Sequence, residues 1–551
     1  DMDRALVNMF TIRMRTGEFD PVTRVPYALF PPSTVNSERS QAIALEVATR
    51  TPVLLKNDIV AGSEAGRKAL PIDLKEIKSI ALIGPQADEV ELGPYSGRPE
   101  ASSRTTPYQG ITNYIADKGL DIDVVLASGG STKSKSNLLY IAWFELEKAD
   151  GTTSRHDATQ YSLASEGITI GSGMGTEEQV RSIDDGSWTA YENIDLIDVE
   201  KITVAANIPT EGGIIEAHVG SPEGNLISTI EATRASGKRV GGVYGTGTPM
   251  EARVNRLGYN GPQTLYLVYK APADEEIAQE VLDAARESDV AVVFVGTDEN
   301  TATEEADRLT LDLPGNQVEL IKAVAKENKN TIVVMQTLGC VEVEEFKNLE
   351  NVPGILWTGY NGQAQGAAIP MILFGDVTPG GKLNATWYRS VNDLPHITDY
   401  TLRAGDGKPG RTLWYFTKPV SYEFGYGISY TTFEYSDFTI SKSNITPNDV
   451  ITVSVNVTNT GSYDGDEVVQ IYMTTPDSPA SLQRPIKRLK GFRRVAIPRG
   501  QTRRVDIVID CSDLWFWDMD NERIIYDSGR YVFEIGSSSK DIRGRVSAVM
   551  D

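Results

Sequence analysis

Apolar residues recur with two different periods along this chain. Around 275–286, 290–295, 316–327, 331–335 and 355–357, helical periodicity alternates with short runs that are apolar throughout. Strands buried on both faces of a parallel sheet need such continuous runs, so these segments predict an α/β domain. Residues 39–48 predict a further helix, with Ile43, Ala44, Val47 and Ala48 on one face suited to packing on a sheet. A strand over 80–83 ends at Gly84-Pro85. From about Ser128 to Ala271 the alternation breaks. Gly, Ser and Thr become frequent there, and short strands such as 201–206 and 264–269 replace helices, which predicts an inserted β-sandwich. From about Tyr430 the period is two, as in VITVSVNVTN (450–459), with turns at Asn459-Thr460-Gly461 and Pro498-Arg499-Gly500.

The expected fold class is multi-domain, α/β plus all-β. The α/β sandwich domain spans 39–127 and 274–429, a β-sandwich insert over 128–273 interrupts it, and a second β-sandwich fills 430–551. A length of 551 residues suits this division, at roughly 100 to 200 residues per domain. No run approaches the roughly 20 apolar residues of a membrane span, so no membrane partner is expected. The formal net charge of -23 argues against nucleic acid, whose phosphates require a clustered basic face. Cys340 and Cys511 fall in different domains and are expected as buried free thiols. His156, His218 and His396 are too few for a Cys/His metal cluster, so no metal or cofactor is expected.

The candidate chemistry lies just beyond the 290–295 run, where Asp298, Glu299, Glu304, Glu305 and Asp307 follow one another. Catalytic groups of open α/β sheets sit at the carboxyl ends of strands, and cleaving a glycosidic bond needs carboxyl groups in an enclosed site. The alternative is a solvated acidic surface loop. The stretch resembles the acid/base loop of glycoside hydrolase family 3, in which a catalytic Glu precedes an Asp-Arg pair by three residues and Leu-Pro-Gly-x-Gln follows. Here these are Glu304, Asp307-Arg308 and Leu313 to Gln317. TPVLLKND (51–58), IALIGPQAD (80–88), TTPYQGI (105–111), ILWTGYNGQAQG (355–366), LFGDVTPGGKL (373–383) and YEFGYGISYTTFEY (422–435) resemble the family in the same order.

The resemblance implies retaining hydrolysis of a terminal β-linked sugar, with Glu304 as acid/base and Asp307-Arg308 fixing the loop by ion pairing. Asp298, Glu299 and Glu305 are the competing carboxylates. The family's nucleophile is an Asp of an N-terminal (β/α)8 barrel. Residues 1–38 resemble only that barrel's last helix and linker, and Ser288-Asp289, Ser436-Asp437 and Ser512-Asp513 are not credible substitutes. The expected partners are therefore an oligosaccharide and a barrel on the same precursor or a second chain. A homo-oligomer is a further alternative, and a periplasmic or secreted location is expected from the family. Glu305, where the family's glucosidases commonly have Gly, together with TTPYQGI and DYTLRAGDGKPGRTLWYF (399–416), resembles the β-xylosidase branch. The alternatives are a β-glucosidase and a non-catalytic carbohydrate-binding or scaffold fragment. Residues 430–551 resemble the family's fibronectin type III-like domain, expected to pack on the others. The insert resembles a family 6 carbohydrate-binding module through IDDGSWTAYENIDL (183–196), EAHVGSPEGNLISTI (216–230) and GPQTLYLVYKAP (261–272), without that family's closing Asn-bearing strand. Trp188 and Tyr191 then either stack on sugar rings or belong to the sandwich core.

Overall fold

The computed structural model describes residues 2–550 except 64–65, 94, 98, 134, 173–176, 210–211, 234–246, 256–257, 260, 274–275, 299–300, 302–307, 309, 397–398, 480–482 and 519–520. Six strands form the central sheet: β1 (Val53–Asn57), β2 (Ser79–Ile83), β3 (Asp123–Ala127), β4 (Val290–Gly296), β5 (Thr331–Gln336) and β6 (Gly354–Trp357). Their spatial order is β1-β6-β5-β4-β2-β3. Five run parallel, and β1 pairs antiparallel with β6 at one edge. All residues of β4 and β5 are buried, as their unbroken apolar sequence requires.

Alternation along β4 divides its side chains between two cores. Ala291, Val293 and Val295 pack with Val281 of α4 (Gln279–Glu287) and with Leu320 and Val324 of α5 (Gln317–Glu327). Val290, Val292 and Phe294 face Ile111 and Ile115 of α3 (Pro107–Asp117) and Ile369 and Ile372 of α6 (Gln365–Leu373). The result is a three-layer α/β/α sandwich. Helix α1 (Met2–Arg15) has no buried residue. Helix α2 (Glu38–Arg50) departs from its predicted packing: Ile43 is 50% and Val47 53% exposed, and only Ala48 and Thr49 of its last turn are buried. The apolar face is real, but within this chain only the end of the helix reaches the sheet layer.

Between β3 and α4 the chain builds two antiparallel sheets. One contains Tyr140–Lys148, Thr153–Asp157, Thr169–Gly171, Gln179–Arg181, Val199–Asn207 and Thr248–Arg253. The other contains Leu163–Ala164, Trp188–Ile194, Gly212–Val219, Asn225–Thr233 and Gln263–Lys270. Phe144, Leu146, Ile202 and Val204 from the first and Ile215, Ala217, Leu265 and Leu267 from the second share one core.

The C-terminal region pairs a three-stranded sheet with a five-stranded one around Ile451, Val453, Ile471, Phe533 and Ile535. Polar contacts fix it to the α/β domain. Arg494 joins Asp466 at 2.7 Å and donates to the Arg50 carbonyl at 2.9 Å, while the Gln470 amide donates to the Gly425 carbonyl at 3.1 Å.

Candidate active site

The loops that follow β2, β4, β5 and β6 converge at the carboxyl edge of the sheet, the position at which open parallel sheets carry their chemistry. Buried glutamine side chains hold them together. Gln317, at the start of α5, accepts from the Gly296 amide at 2.7 Å and donates to the carbonyls of Gly296 and Pro314 at 2.8 and 2.9 Å. This closes the loop that leaves β4 onto the helix that ends it. Gln86 donates to the Thr297 carbonyl at 3.3 Å, and Gln336 to the Gln86 carbonyl at 3.2 Å. Gln365 donates in turn to the Gln336 side chain. Thr297 accepts from the Leu338 amide at 2.9 Å and shares a hydrogen bond with the Tyr360 hydroxyl at 2.8 Å. Burial raises the Tyr360 pKa, so this phenol stays neutral across the physiological range.

On this frame the acidic loop is anchored at each described end. Asp298 accepts through one oxygen from the Thr301 amide and hydroxyl at 3.0 and 3.1 Å, and through the other from the Thr132 hydroxyl at 2.7 Å. At the far end Arg308 turns inward and donates to the carbonyls of Leu338 and Cys340 at 3.3 and 3.0 Å. Burial lowers its pKa, but a guanidinium so placed remains cationic. Arg308, Thr301, Asp312, Leu313, Lys135 and Ser136 line a cavity of about 220 Å³. Ordinary ligand pockets begin near ~300 Å³, so this cavity is smaller than one. A larger cavity of about 470 Å³ is lined by residues of the C-terminal domain such as Ile486, Lys487 and Arg545, and of its lining cations Lys418 is paired with Asp393 and Lys487 and Arg545 with Glu534.

Glu304, the residue singled out as acid/base, lies outside the described residues, as do Glu299, Glu305 and Asp307. Asp298 is described, and its two oxygens are engaged in holding the turn, which fits an anchor better than a proton donor. Arg308 was expected to fix the loop by ion pairing with Asp307; its described hydrogen bonds go to carbonyls on the next loop. Asp289 accepts from the amides of Lys78 and Ser79 at 2.6 and 3.1 Å, at the amino ends of the strands and therefore opposite the site. Cys340 is half-buried and Cys511 buried; both are free, and burial pushes their thiols up to about 12 and about 11.

The reading of Tyr191 as a sugar-stacking residue is corrected by its position. It is 3% exposed in the core of the two-sheet unit, packs edge-on against Phe144 and donates its hydroxyl to the Ala158 carbonyl at 2.8 Å. Trp188 sits three positions earlier and points to the other face, beside Tyr266 with ring centroids 5.4 Å apart. The glutamines that hold the loops together were missed by sequence reasoning. Their one signal was the recurrence of Gln directly after apolar strands or at helix starts, at Gln86, Gln317, Gln336 and Gln365. Among the described residues no cluster is placed to hold a metal ion, and no helix is long and apolar enough to cross a membrane.

The model of the glycosyl hydrolase family 3 C-terminal domain matches residues 52–430, and that of a fibronectin type III-like domain matches 467–539. The first match takes in the whole carboxyl-edge site. The chain belongs to glycosyl hydrolase family 3. A β-xylosidase of Formosa agariphila is 38% identical over 262 residues, which cover 47% of this chain and 35% of the relative. A β-glucosidase of Kluyveromyces marxianus is 35% identical over 310 residues, covering 54% of this chain and 35% of the relative. The fold of a β-glucosidase from Erythrobacter marinus superimposes with a TM-score of 0.62 at 23% identity, covering 97% of this chain and 53% of that one. The chain thus spans about a third to a half of these proteins.

Proposed function

We propose that this family 3 chain supplies the acid/base side of an exo-acting retaining β-glycosidase that releases terminal xylose from xylo-oligosaccharides. One observation carries the reading: the loop that bears Glu304 in the sequence leaves β4 at the carboxyl edge of the sheet and is pinned at Asp298 and Arg308. Glu304 protonates the leaving oxygen and then activates water. A nucleophilic Asp of an N-terminal (β/α)8 barrel attacks the anomeric carbon from about 5 to 5.5 Å away. The small cavity beside Arg308 supports this division, since the rest of the sugar pocket has to come from the barrel. Glu305 favours xylose, and the similar Formosa protein bears the name β-xylosidase. The similar Kluyveromyces protein is named a β-glucosidase, which keeps glucosides as the second reading. Export to the periplasm or outside the cell suits such a substrate.

The chain of residues 1–551 alone should leave aryl β-xylosides and β-glucosides intact, because an acid without a nucleophile forms no glycosyl-enzyme. With the matching barrel, kcat/KM should favour the xyloside. Turnover by the chain alone overturns the division of roles, and preference for the glucoside overturns the specificity.

The two-sheet unit is read as a β-sandwich of carbohydrate-binding-module type, with Trp188 and not Tyr191 as the stacking residue. Added xylo-oligosaccharides should shift its tryptophan fluorescence, and Trp188→Ala should remove that response. A response that survives this substitution excludes the platform.

A further inference from the structure

We infer that the connection leading from β3 into the inserted unit positions the acid/base loop, with Thr132 as the positioning residue. The inference rests on the assignment of Glu304 to that loop. Ser131, Thr132, Lys135 and Ser136 of this connection meet the described ends of the segment 298–317. At the first end the Thr132 hydroxyl donates to an Asp298 oxygen at 2.7 Å, a charge-assisted bond, while the other Asp298 oxygen holds the Thr301 amide and hydroxyl. At the second end the Ser131 amide donates to the Asn316 side chain at 2.8 Å. Gly315 has φ +65°, and a Cβ there would lie 2.0 Å from the Ser131 carbonyl oxygen, so the two backbones are in direct contact. Lys135 and Ser136 line the same cavity as Thr301 and Arg308.

The connection is also pinned on its other side. The Asp185 amide donates to the Lys135 carbonyl at 2.8 Å, the Asn137 amide to Asp184 at 3.1 Å and the Leu138 amide to the Ile183 carbonyl at 2.7 Å. Asp185 accepts from the Ala271 amide at 2.8 Å, where the chain leaves the inserted unit again. Hydrogen bonds therefore run from both entry and exit of the unit to Asp298, three residues of chain from Thr301 and six from Glu304. Proton donation is sensitive to placement of the acid by fractions of an ångström, whereas sugar binding by the rest of a pocket is less so. Thr132 touches no reacting atom in this account; it acts through Asp298.

Thr132→Val keeps the shape of the side chain and removes the donor, and Thr132→Ser keeps the donor. In the enzyme completed with its barrel, Thr132→Val should lower kcat/KM on xylobiose about tenfold and change kcat/KM on 2,4-dinitrophenyl β-xyloside less than about twofold, because kcat/KM reports the first step and only the poor leaving group needs the proton there. KM for xylobiose should stay unchanged, and Thr132→Ser should restore the wild-type ratio of the two kcat/KM values. In the chain of residues 1–551, hydrogen exchange should quicken in peptides over 297–317 for Thr132→Val and stay unchanged over β5. Unchanged exchange, or equal slowing of both substrates, overturns the inference. Glu304→Gln measured alongside separates the two levels. If it is as active as wild type on xylobiose, the acid/base assignment fails; if it is inactive beside an unaffected Thr132→Val, only the positioning role fails.

Discussion

Tyr191 and Trp188 lie three residues apart on one strand, and an odd spacing sends two side chains to opposite faces of a sheet. They cannot both serve one binding surface. The inward one is Tyr191, whose hydroxyl donates to the Ala158 carbonyl in the core. Tyr191→Phe removes that donor and leaves a carbonyl short of a partner, at a cost of about 1–2 kcal/mol. The measurement is denaturant unfolding of the chain, where the variant's transition attributed to the inserted unit should shift down, with no change in any response to xylo-oligosaccharide. The parity rule was available in the sequence, but which face is the core depends on the second sheet, and that sheet is assembled from strands as distant as Gln263–Lys270. The proposed role of Glu304 was legible in the sequence only through its offset from Asp307-Arg308 and the Leu313 to Gln317 segment. The glutamine network was not, because a Gln at a strand end or helix start reads as a surface residue until loops separated by 211 or 250 positions meet over it.

At the scale of elements, continuous apolar runs located β2, β4, β5 and β6 within a residue or two, since burial on both faces leaves no polar positions to confuse the period. The antiparallel edge strand β1 was visible only as a family-like motif, because nothing local in VLLKN sets its direction; its register comes from pairing with β6 some 300 residues later. Helices α3 and α6 cross with their backbones touching. A Cβ at Gly110 would lie 1.6 Å from the Gly366 carbonyl oxygen, so Gly110→Ala has to push the helices apart and should cost about 3 kcal/mol or more, read from the unfolding midpoint. In the C-terminal domain burial, aided by the nearby Arg488, lowers Lys490 from 10.5 to about 8. Between these values the unfolded chain binds more protons than the folded one, so the Lys490 contribution becomes more favourable as pH rises. The melting temperature of wild type should therefore gain on that of Lys490→Gln between pH 8 and 10. A difference that is flat or falls with pH would show that the ammonium is solvated in the folded state.

At the scale of the whole molecule, the sandwich domain presents an acidic loop at the carboxyl edge, the inserted unit leans on that loop through Thr132, and the C-terminal domain braces the far side through Arg494 and Gln470. The proposed function places the catalytic role of the chain in one carboxyl group, that of Glu304. The most direct test is the leaving-group dependence of Glu304→Gln in the enzyme completed with its barrel. Loss of the acid should reduce kcat on xylobiose by about 10² to 10⁴, while the first step with 2,4-dinitrophenyl β-xyloside should proceed nearly as in wild type and azide should speed the second step by replacing activated water. Wild-type turnover of xylobiose by Glu304→Gln, with activity lost instead in Asp298→Asn or Glu299→Gln, would contradict the account.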